Sequence, residues 1–534
     1  MPFRNPFPLQ IKSSSMKMKT FPPRAFSFPT PRAPLLDAAC VLSEMIGKNC
    51  PHGFRQIVTS IGKKPVVNFA IKSFEEIPGP RPLPLIGNLW RYFPVIGTYS
   101  YDRIHETYAK MHEQFGPLVK EKVFGDKILI HVFDPVDMRK VYEADGNNPV
   151  RISHTALANY RKARPHLYSG AGLFPSNGKE WRHFRSMFQK LLLHPSTVDE
   201  CSNILEDITD EMISKIPNYL DENNEMNLQP LLFNWALECI GAVTLNRRLG
   251  CLSAEGNKEA QSLITAANDT HTAVYRTEMT PYSVTSYKKL EDAQNLHSSV
   301  VEKYLDEALE DFNQKRNQNC LAVKMLQLEG ASRRDVFTMI LDMFMAGIDT
   351  TAFTLSFCLH NLARNTEVQE KLRQEVINFL PKPNSRFTDV SLKHYPYLRA
   401  LVKETLRTNP ISIGTGRIIQ KDLALSGYLV PAQSFTVLQH QVASMHEKYF
   451  PNPHKFEPER WLRREFTPLV SSPFGYGGRM CVGKKIADRE LYLAISKLVR
   501  TFHITYHYEQ IDSVNRLINV PDKPLRLRLT KVSG

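Results

Sequence analysis

The sequence has few cysteines, and none of them stand close together. Its eight cysteines are scattered along 534 residues, and no C-x-x-C pair occurs among them. Such pairs are typical of zinc sites and of the disulfide frameworks of small secreted domains. The spacing therefore argues against both kinds of site and favours a reducing compartment.

The N-terminal region lacks acidic residues and long apolar runs. The first 36 residues contain no Asp or Glu, but they carry several Lys and Arg, with serines and many prolines between them. No apolar run there approaches the ~20 residues of a membrane span, and the apolar block of a secretory signal is absent. This composition is typical of a mitochondrial transit peptide, and the alternative is a disordered basic tail. We expect residues 1–76 to be leader and linker.

The whole chain carries a net charge of +14, from 68 basic and 54 acidic residues. A basic balance suits nucleic acid, a membrane surface or an acidic protein partner. Because no signature of a nucleic-acid-binding fold is present, we expect no nucleic acid partner. A membrane surface and an acidic protein remain.

From residue 77 to residue 534 the chain shows no linker, repeat or break in composition, which predicts one domain. Helical periodicity predicts helices over 198–216, 229–246, 290–313, 334–364, 366–379 and 390–409. Alternating and β-branched segments predict short strands within 118–133, 416–437 and 523–531. The predicted fold class is mainly α with small β-sheets.

The most specific motif lies near the C-terminus, directly before an apolar helical pattern. Phe474, Gly477, Arg479, Cys481 and Gly483 form F-x-x-G-x-R-x-C-x-G. A thiolate is a strong ligand for heme iron and favours cleavage of the O–O bond. The glycines would let the backbone approach the macrocycle, and the guanidinium could pair with a heme propionate. The alternative is that Cys481 is an inert buried thiol.

This motif resembles the heme-binding loop of the cytochrome P-450 monooxygenases. The resemblance implies a helical prism that encloses heme b, with the thiolate of Cys481 as the iron ligand. Phe474, Gly477 and Arg479 would contribute to heme binding. The catalytic domain of the family would span residues 77–534, beginning with the proline-rich segment Ile77–Pro84.

A second motif interrupts a long apolar helical pattern at Ala346–Thr351. An acid beside two threonines is costly in a core helix unless it is hydrogen-bonded or functional. The run resembles the oxygen-activation motif of the same family. On that resemblance Asp349 and Thr350 would deliver protons to bound oxygen, and Gly347 would leave room for dioxygen. The alternative is a pair of packing or capping threonines.

Other residues gain a role only from the resemblance. Glu404 and Arg407 form E-x-x-R, and Arg460 lies in a P-E-R-W run, so the three would make a buried ionic triad that braces the heme loop. Trp181 and Arg185 share a helical face and would bind a heme propionate. Arg417 matches a further basic propionate position.

Four basic residues flank these motifs on two segments, namely Arg399, Lys403, Lys484 and Lys485. In the mitochondrial branch of the family such residues bind a ferredoxin, an acidic iron–sulfur protein that is reduced by an NADPH-dependent ferredoxin reductase. Opposite charges would steer this partner to the chain. The alternative is an ordinary solvated face.

A narrower resemblance concerns the segments 151–165, 172–178 and 409–418, which are similar to those of the ecdysteroid 22-hydroxylases of arthropods. It implies a monooxygenase that hydroxylates a lipophilic sterol with dioxygen, associated peripherally with the matrix side of the mitochondrial inner membrane. Three alternatives stay open. They are a mitochondrial relative acting on another ecdysteroid carbon or on xenobiotics, a heme-thiolate binding protein or isomerase, and a helical binding protein without heme.

Overall fold

Helices make up most of the chain that the computed structural model describes, namely residues 71–253, 255–279, 284–316, 320–382, 385–387 and 392–532. The predicted leader lies outside the described residues, apart from 71–76. The α-helices in the described part are α1 (Ile104–Phe115), α2 (Pro135–Ala144), α3 (Thr155–Lys162), α4 (Gly178–Leu192), α5 (Pro195–Lys215), α6 (Gln229–Leu245), α7 (Lys258–Met279), α8 (Val284–Asn313), α9 (Leu321–Leu326), α10 (Arg333–Arg364), α11 (Thr366–Phe379), α12 (Pro396–Thr408), α13 (His440–Ser444), α14 (Glu459–Arg463) and α15 (Lys484–Thr501).

The strands are short and lie at the margins of the helical core. They are β1 (Leu118–Phe124), β2 (Lys127–Val132), β3 (Glu225–Asn227), β4 (Thr415–Ile418), β5 (Leu423–Leu425), β6 (Tyr428–Val430), β7 (Phe435–Leu438), β8 (Phe502–Thr505), β9 (Ser513–Asn515), β10 (Asn519–Pro521) and β11 (Arg526–Lys531). One sheet has the order β1-β2-β7-β4, with β2 and β7 parallel and the other pairs antiparallel. A second sheet has the order β3-β11-β8, and two hairpins complete the set. The fold is mainly α with small β-sheets, as predicted.

The central element is α10, a helix of 32 residues. It begins with a capping box, in which the Ser332 hydroxyl accepts from the Asp335 N–H and the Asp335 carboxylate accepts from the Ser332 N–H. The helix is long and apolar enough to cross a membrane, but 78% of its most apolar window is buried inside the protein. Because it packs against α6 and α15, it is the core helix of the fold.

Most predicted elements occur near their expected bounds, with one correction. The helix predicted over 390–409 begins only at Pro396. Proline disfavours a helical residue before it but suits the first helical position. The strand region 416–437 contains four short strands. Two of them, β5 and β6, are joined by a tight turn, in which Ser426 and Gly427 have φ of 47° and 86°.

Candidate functional site

The loop before α15 presents the sulfur of Cys481. The Cys481 N–H donates to the carbonyl of Phe474 over 2.9 Å, which closes the loop. Gly477 has a φ of 76°, a left-handed conformation that favours glycine. Burial raises the pKa of the Cys481 thiol, and the Gly483 backbone and the Arg185 cation oppose this shift. The side chain is nevertheless exposed and open to a ligand.

Several arginines converge near this sulfur from different elements. Burial and the cations of Arg151 and Arg417 lower the pKa of Arg479 to about 8, and Asp145 opposes the shift. Burial likewise lowers the pKa of Arg185, and burial with the Arg417 cation lowers that of Arg151 to about 10. Desolvated like charges are unfavourable unless anions compensate them.

The predicted heme-binding residues contact one another within this cluster. The guanidinium of Arg479 lies 4.8 Å from the centre of the Trp181 ring. It also donates to the side-chain oxygen of Asn177 over 3.0 Å. The guanidinium of Arg417 donates to Asp145 over 2.6 Å and is almost fully buried. The structure therefore brings together the residues that the sequence predicted to bind propionates.

The donor set fits heme b. Cys481 offers a soft sulfur ligand for iron. The desolvated guanidiniums of Arg151, Arg185 and Arg479 offer positive charge that two propionate carboxylates would compensate. Arg151 was not predicted, since no local motif marks it. Its Nε is buried without a hydrogen-bond partner in the described part of the chain, which is the kind of signal that only coordinates provide.

The predicted ionic triad lies on the other side of the loop. Glu404 accepts from Arg407 over 2.9 Å and 2.8 Å and from Arg460 over 3.0 Å. The indole of Trp461 and the backbone N–H of Glu457 also donate to Glu404, each over 2.9 Å. All three triad residues are at most 1% exposed. The carboxylate is saturated with donors, which leaves it no part in substrate binding.

The middle of α10 carries the predicted proton-delivery residues. The Thr350 hydroxyl donates to the carbonyl of Ala346 over 2.5 Å, one turn earlier. Asp349 is buried, and its Oδ2 lies 2.9 Å from Nδ1 of His271 on α7. Sequence reasoning missed His271, because 78 residues separate it from Asp349.

Gly347 lies in the same stretch of α10. A Cβ atom at this position would lie 3.0 Å from Cδ1 of Ile240 on α6. The helix is continuous through the motif. The glycine therefore allows close packing between α6 and α10, and its place beside bound dioxygen stays a prediction.

Three of the four basic residues predicted to bind ferredoxin, Arg399, Lys403 and Lys484, lie close together. Burial and the neighbouring cations Arg399 and Lys484 lower the pKa of Lys403. Since Lys484 is the first residue of α15, the helix α12 and the start of α15 lie next to each other here. Lys484 lies over the ring of Phe474 at 5.0 Å. Lys485 donates to the carbonyl of Leu193 over 2.6 Å. We call Arg399, Lys403, Lys484 and Lys485 the basic face.

Comparison with known proteins adds independent findings. The family model of cytochrome P-450 matches residues 77–529. In Drosophila melanogaster, the probable cytochrome P-450 49a1 is 33% identical over 491 residues, which cover 86% of this chain and 83% of that protein. The mitochondrial cytochrome P-450 302a1 of the same organism is 32% identical, over 86% of this chain and 95% of that protein. The probable mitochondrial cytochrome P-450 301a1 is 31% identical, over 86% and 87%.

Proposed function

The chain belongs to the cytochrome P-450 family and is a heme-thiolate monooxygenase, and from this premise we propose that it hydroxylates the side chain of an ecdysteroid precursor, as a steroid 22-hydroxylase. The proposal places the enzyme in mitochondria, with electrons from a ferredoxin and its NADPH-dependent reductase. The observation that carries the chemistry is the presence of the Cys481 sulfur beside the buried guanidiniums of Arg185 and Arg479, the latter packed on Trp181.

The cofactor and the side chains of the protein have different roles in the proposed reaction. Heme with a thiolate ligand supplies the activation of dioxygen. In this proposal Arg479, Arg185 and Trp181 would hold the propionates of the bound cofactor. The Asp349 carboxyl and the Thr350 hydroxyl hold the protons that the reaction consumes. The apolar packing of α10 excludes bulk water, which would otherwise compete for these protons.

The substrate assignment rests on the segments that resemble the 22-hydroxylases. Arg161 of α3 and Asp342 of α10 are both buried, with charged atoms 2.7 Å apart, and the Leu173 N–H donates to the same carboxylate over 2.6 Å. Asp342 precedes Asp349 by seven residues, so both lie on one face of α10. The contacts hold the resembling segments beside the proposed reaction centre, which supports a role for them in choosing the substrate.

Three observations support the partner and the location. Two relatives are named as mitochondrial proteins. The basic face offers positive charge on the side of the heme loop, which suits an acidic ferredoxin. Leu85, Val95 and Ile96 are 86%, 94% and 62% exposed. Exposed apolar side chains in one stretch of chain suit peripheral contact with the inner membrane at its matrix side.

The decisive experiment is product identification. The purified full chain, loaded with heme, is combined with ferredoxin, ferredoxin reductase and NADPH, and is given a sterol ketodiol or ketotriol. We expect a product with one added oxygen, located at carbon 22 by mass spectrometry and NMR. A hydroxyl on another carbon, or turnover of xenobiotics alone, would replace the 22-hydroxylase assignment. Binding of sterol without any oxygenated product would favour a binding protein or isomerase.

The location is tested separately. Residues 1–76 fused to a reporter should enter the mitochondrial matrix and lose the leader. Reporter found on the endoplasmic reticulum would contradict the mitochondrial assignment and favour a flavoprotein reductase as electron donor.

A further inference from the structure

The carboxyl group of Asp349 has two oxygens in unequal surroundings. Oδ2 lies 2.9 Å from Nδ1 of His271, and both residues are buried. Oδ1 is buried and has no hydrogen-bond partner within the part of the chain that the structure describes. A buried polar atom without a partner costs about 1–3 kcal/mol. Such a cost is typical of a group that is kept for function.

The hydrogen bond with His271 holds only one of the two carboxyl oxygens of Asp349. A carboxylate only accepts hydrogen bonds, so His271 must carry its proton on Nδ1 to bind it. The hydroxyl of Thr350 is occupied by the Ala346 carbonyl and does not hold the carboxyl. Among the described residues, His271 is therefore the one side chain that fixes the rotamer of Asp349 by a hydrogen bond.

His271 belongs to a helix that is fastened at further points. Tyr275, one turn later on α7, donates to the carbonyl of Tyr101 over 2.7 Å. Glu278 accepts from the backbone N–H of His154 at the start of α3. Residues 271, 275 and 278 follow the spacing of one helical face. The position of His271 therefore depends on how α7 packs. Glu278 of the same helix contacts the start of α3, which belongs to a segment proposed to choose the substrate.

We propose that His271 is a positioning residue for proton delivery: its Nδ1–H holds Oδ2 of Asp349, and Oδ1 alone exchanges protons. The inference rests on the proposed role of Asp349 in the monooxygenase reaction. When α7 is in this position, the hydrogen bond from His271 holds the carboxyl of Asp349 in one rotamer. When this hydrogen bond is lost, the carboxyl can rotate, and reducing equivalents form peroxide instead of product. The alternative is that His271 only satisfies a buried acid and contributes to stability.

The test compares two substitutions that differ in one hydrogen-bond donor. His271→Asn places an amide N–H near the position of Nδ1, and His271→Leu has a similar size but no donor. Both variants are prepared as the full heme-loaded chain, with any sterol that shifts the heme spectrum as substrate. The measurements are heme content, substrate affinity from the spectral shift, product and peroxide formed per NADPH, and the solvent deuterium isotope effect.

We expect His271→Leu to lose about 10- to 100-fold in product per NADPH, the usual effect of removing an outer partner of a functional group. Peroxide should rise, the solvent isotope effect should change, and heme content and substrate affinity should stay the same. His271→Asn should restore coupling. As a control, His360→Leu removes a buried imidazole on α10 that makes no hydrogen bond to Asp349, and it should not uncouple the reaction.

The outcomes separate the inference from the function on which it rests. If Asp349→Asn does not alter coupling, the proposed role of Asp349 itself is wrong. If Asp349→Asn uncouples the reaction and His271→Leu does not, the positioning role of His271 is wrong. If His271→Leu fails to take up heme, His271→Phe replaces it, since it keeps a planar ring without a hydrogen-bond donor. Normal coupling in a heme-loaded Phe variant would also overturn the proposal.

Discussion

Two polar clusters of this molecule differ in how completely their atoms are paired. In the triad, Glu404 is saturated, and the arginines also donate to backbone carbonyls, Arg407 to Ser444 over 3.0 Å and Arg460 to Pro451 over 2.8 Å. Among the residues proposed to serve the heme and proton delivery, Asp349 Oδ1 and Arg151 Nε have no partner within the described residues. A buried network in which every hydrogen-bonding atom is paired stabilises a single structure. A buried polar atom without a partner lowers stability, and a functional role accounts for its presence.

The largest effect is expected where the paired cluster is broken. Glu404→Ala leaves the buried guanidiniums of Arg407 and Arg460 without their anion. Removing one partner of a buried ion pair costs about 3–5 kcal/mol. We expect loss of heme uptake and a strongly lowered free energy of unfolding, measured by heme content and urea denaturation. The control is Glu465→Gln, which breaks an exposed ion pair with Arg463 and should change stability little. Normal heme uptake in Glu404→Ala would contradict a structural triad.

Substitutions beside Asp349 should lower activity and leave the free energy of unfolding nearly unchanged. Thr350→Ala should keep heme and substrate binding but divert reducing equivalents to peroxide, with product formation lower by about 10²–10⁴-fold, as for a lost acid–base group. Thr354→Ala is the matched control, because its hydroxyl makes the same bond to a carbonyl one turn earlier. Equal coupling in both variants would assign Thr350 to packing only.

The two clusters also differ in how far the sequence predicted them. The residues of the heme loop lie within one short segment with specific spacing, and E-x-x-R gained its role from the family resemblance that this loop carries. The partner of Asp349 is different. His271 lies on α7, which was not predicted as a helix, and its surroundings include Asn268, Thr270 and Thr272, which favour helices weakly. A contact between distant helices leaves no local pattern.

Other differences have equally specific causes. The sequence predicted Arg417 as a heme contact, but not its buried partner Asp145, which lies 272 residues away. Gly347 was interpreted by its place in a motif, and the close approach of Ile240 to it depends on how α6 crosses α10. Helix packing of this kind follows from the tertiary arrangement and not from periodicity.

A smaller effect is expected from a third buried acid, Glu490 of α15. Burial raises its pKa to about 8, against a hydrogen bond from Thr351. The folded state then holds a proton that the unfolded state loses above its pKa of 4.5. The contribution of this group to stability should therefore fall as the pH rises between these values.

Urea denaturation across this pH range checks the sign. Glu490→Gln should be less sensitive to rising pH than the unchanged protein, with the difference largest near the upper end of the range. Glu370→Gln, at an exposed glutamate, should follow the unchanged protein. A parallel pH dependence for Glu490→Gln would show that this carboxyl is not protonated in the folded state.

The smallest effect concerns the surface. Reversal of two charges of the basic face, Arg399→Glu with Lys403→Glu, should raise the ferredoxin concentration for half-maximal turnover several-fold, mainly at low salt. The heme spectrum and peroxide-supported turnover should not change. Lys288→Glu with Lys289→Glu, an exposed basic pair on α8, is the control. Equal ferredoxin dependence for both double variants across a range of salt would place the docking site elsewhere.

The most direct test of the account is the carbon monoxide difference spectrum of the reduced protein. The unchanged chain should show the red-shifted Soret band of a thiolate-ligated heme, and Cys358→Ala, at a buried cysteine of α10, should keep it. Cys481→Ala should lose the band and all turnover. A thiolate-type band that persists in Cys481→Ala would contradict the assignment of this sulfur as the iron ligand.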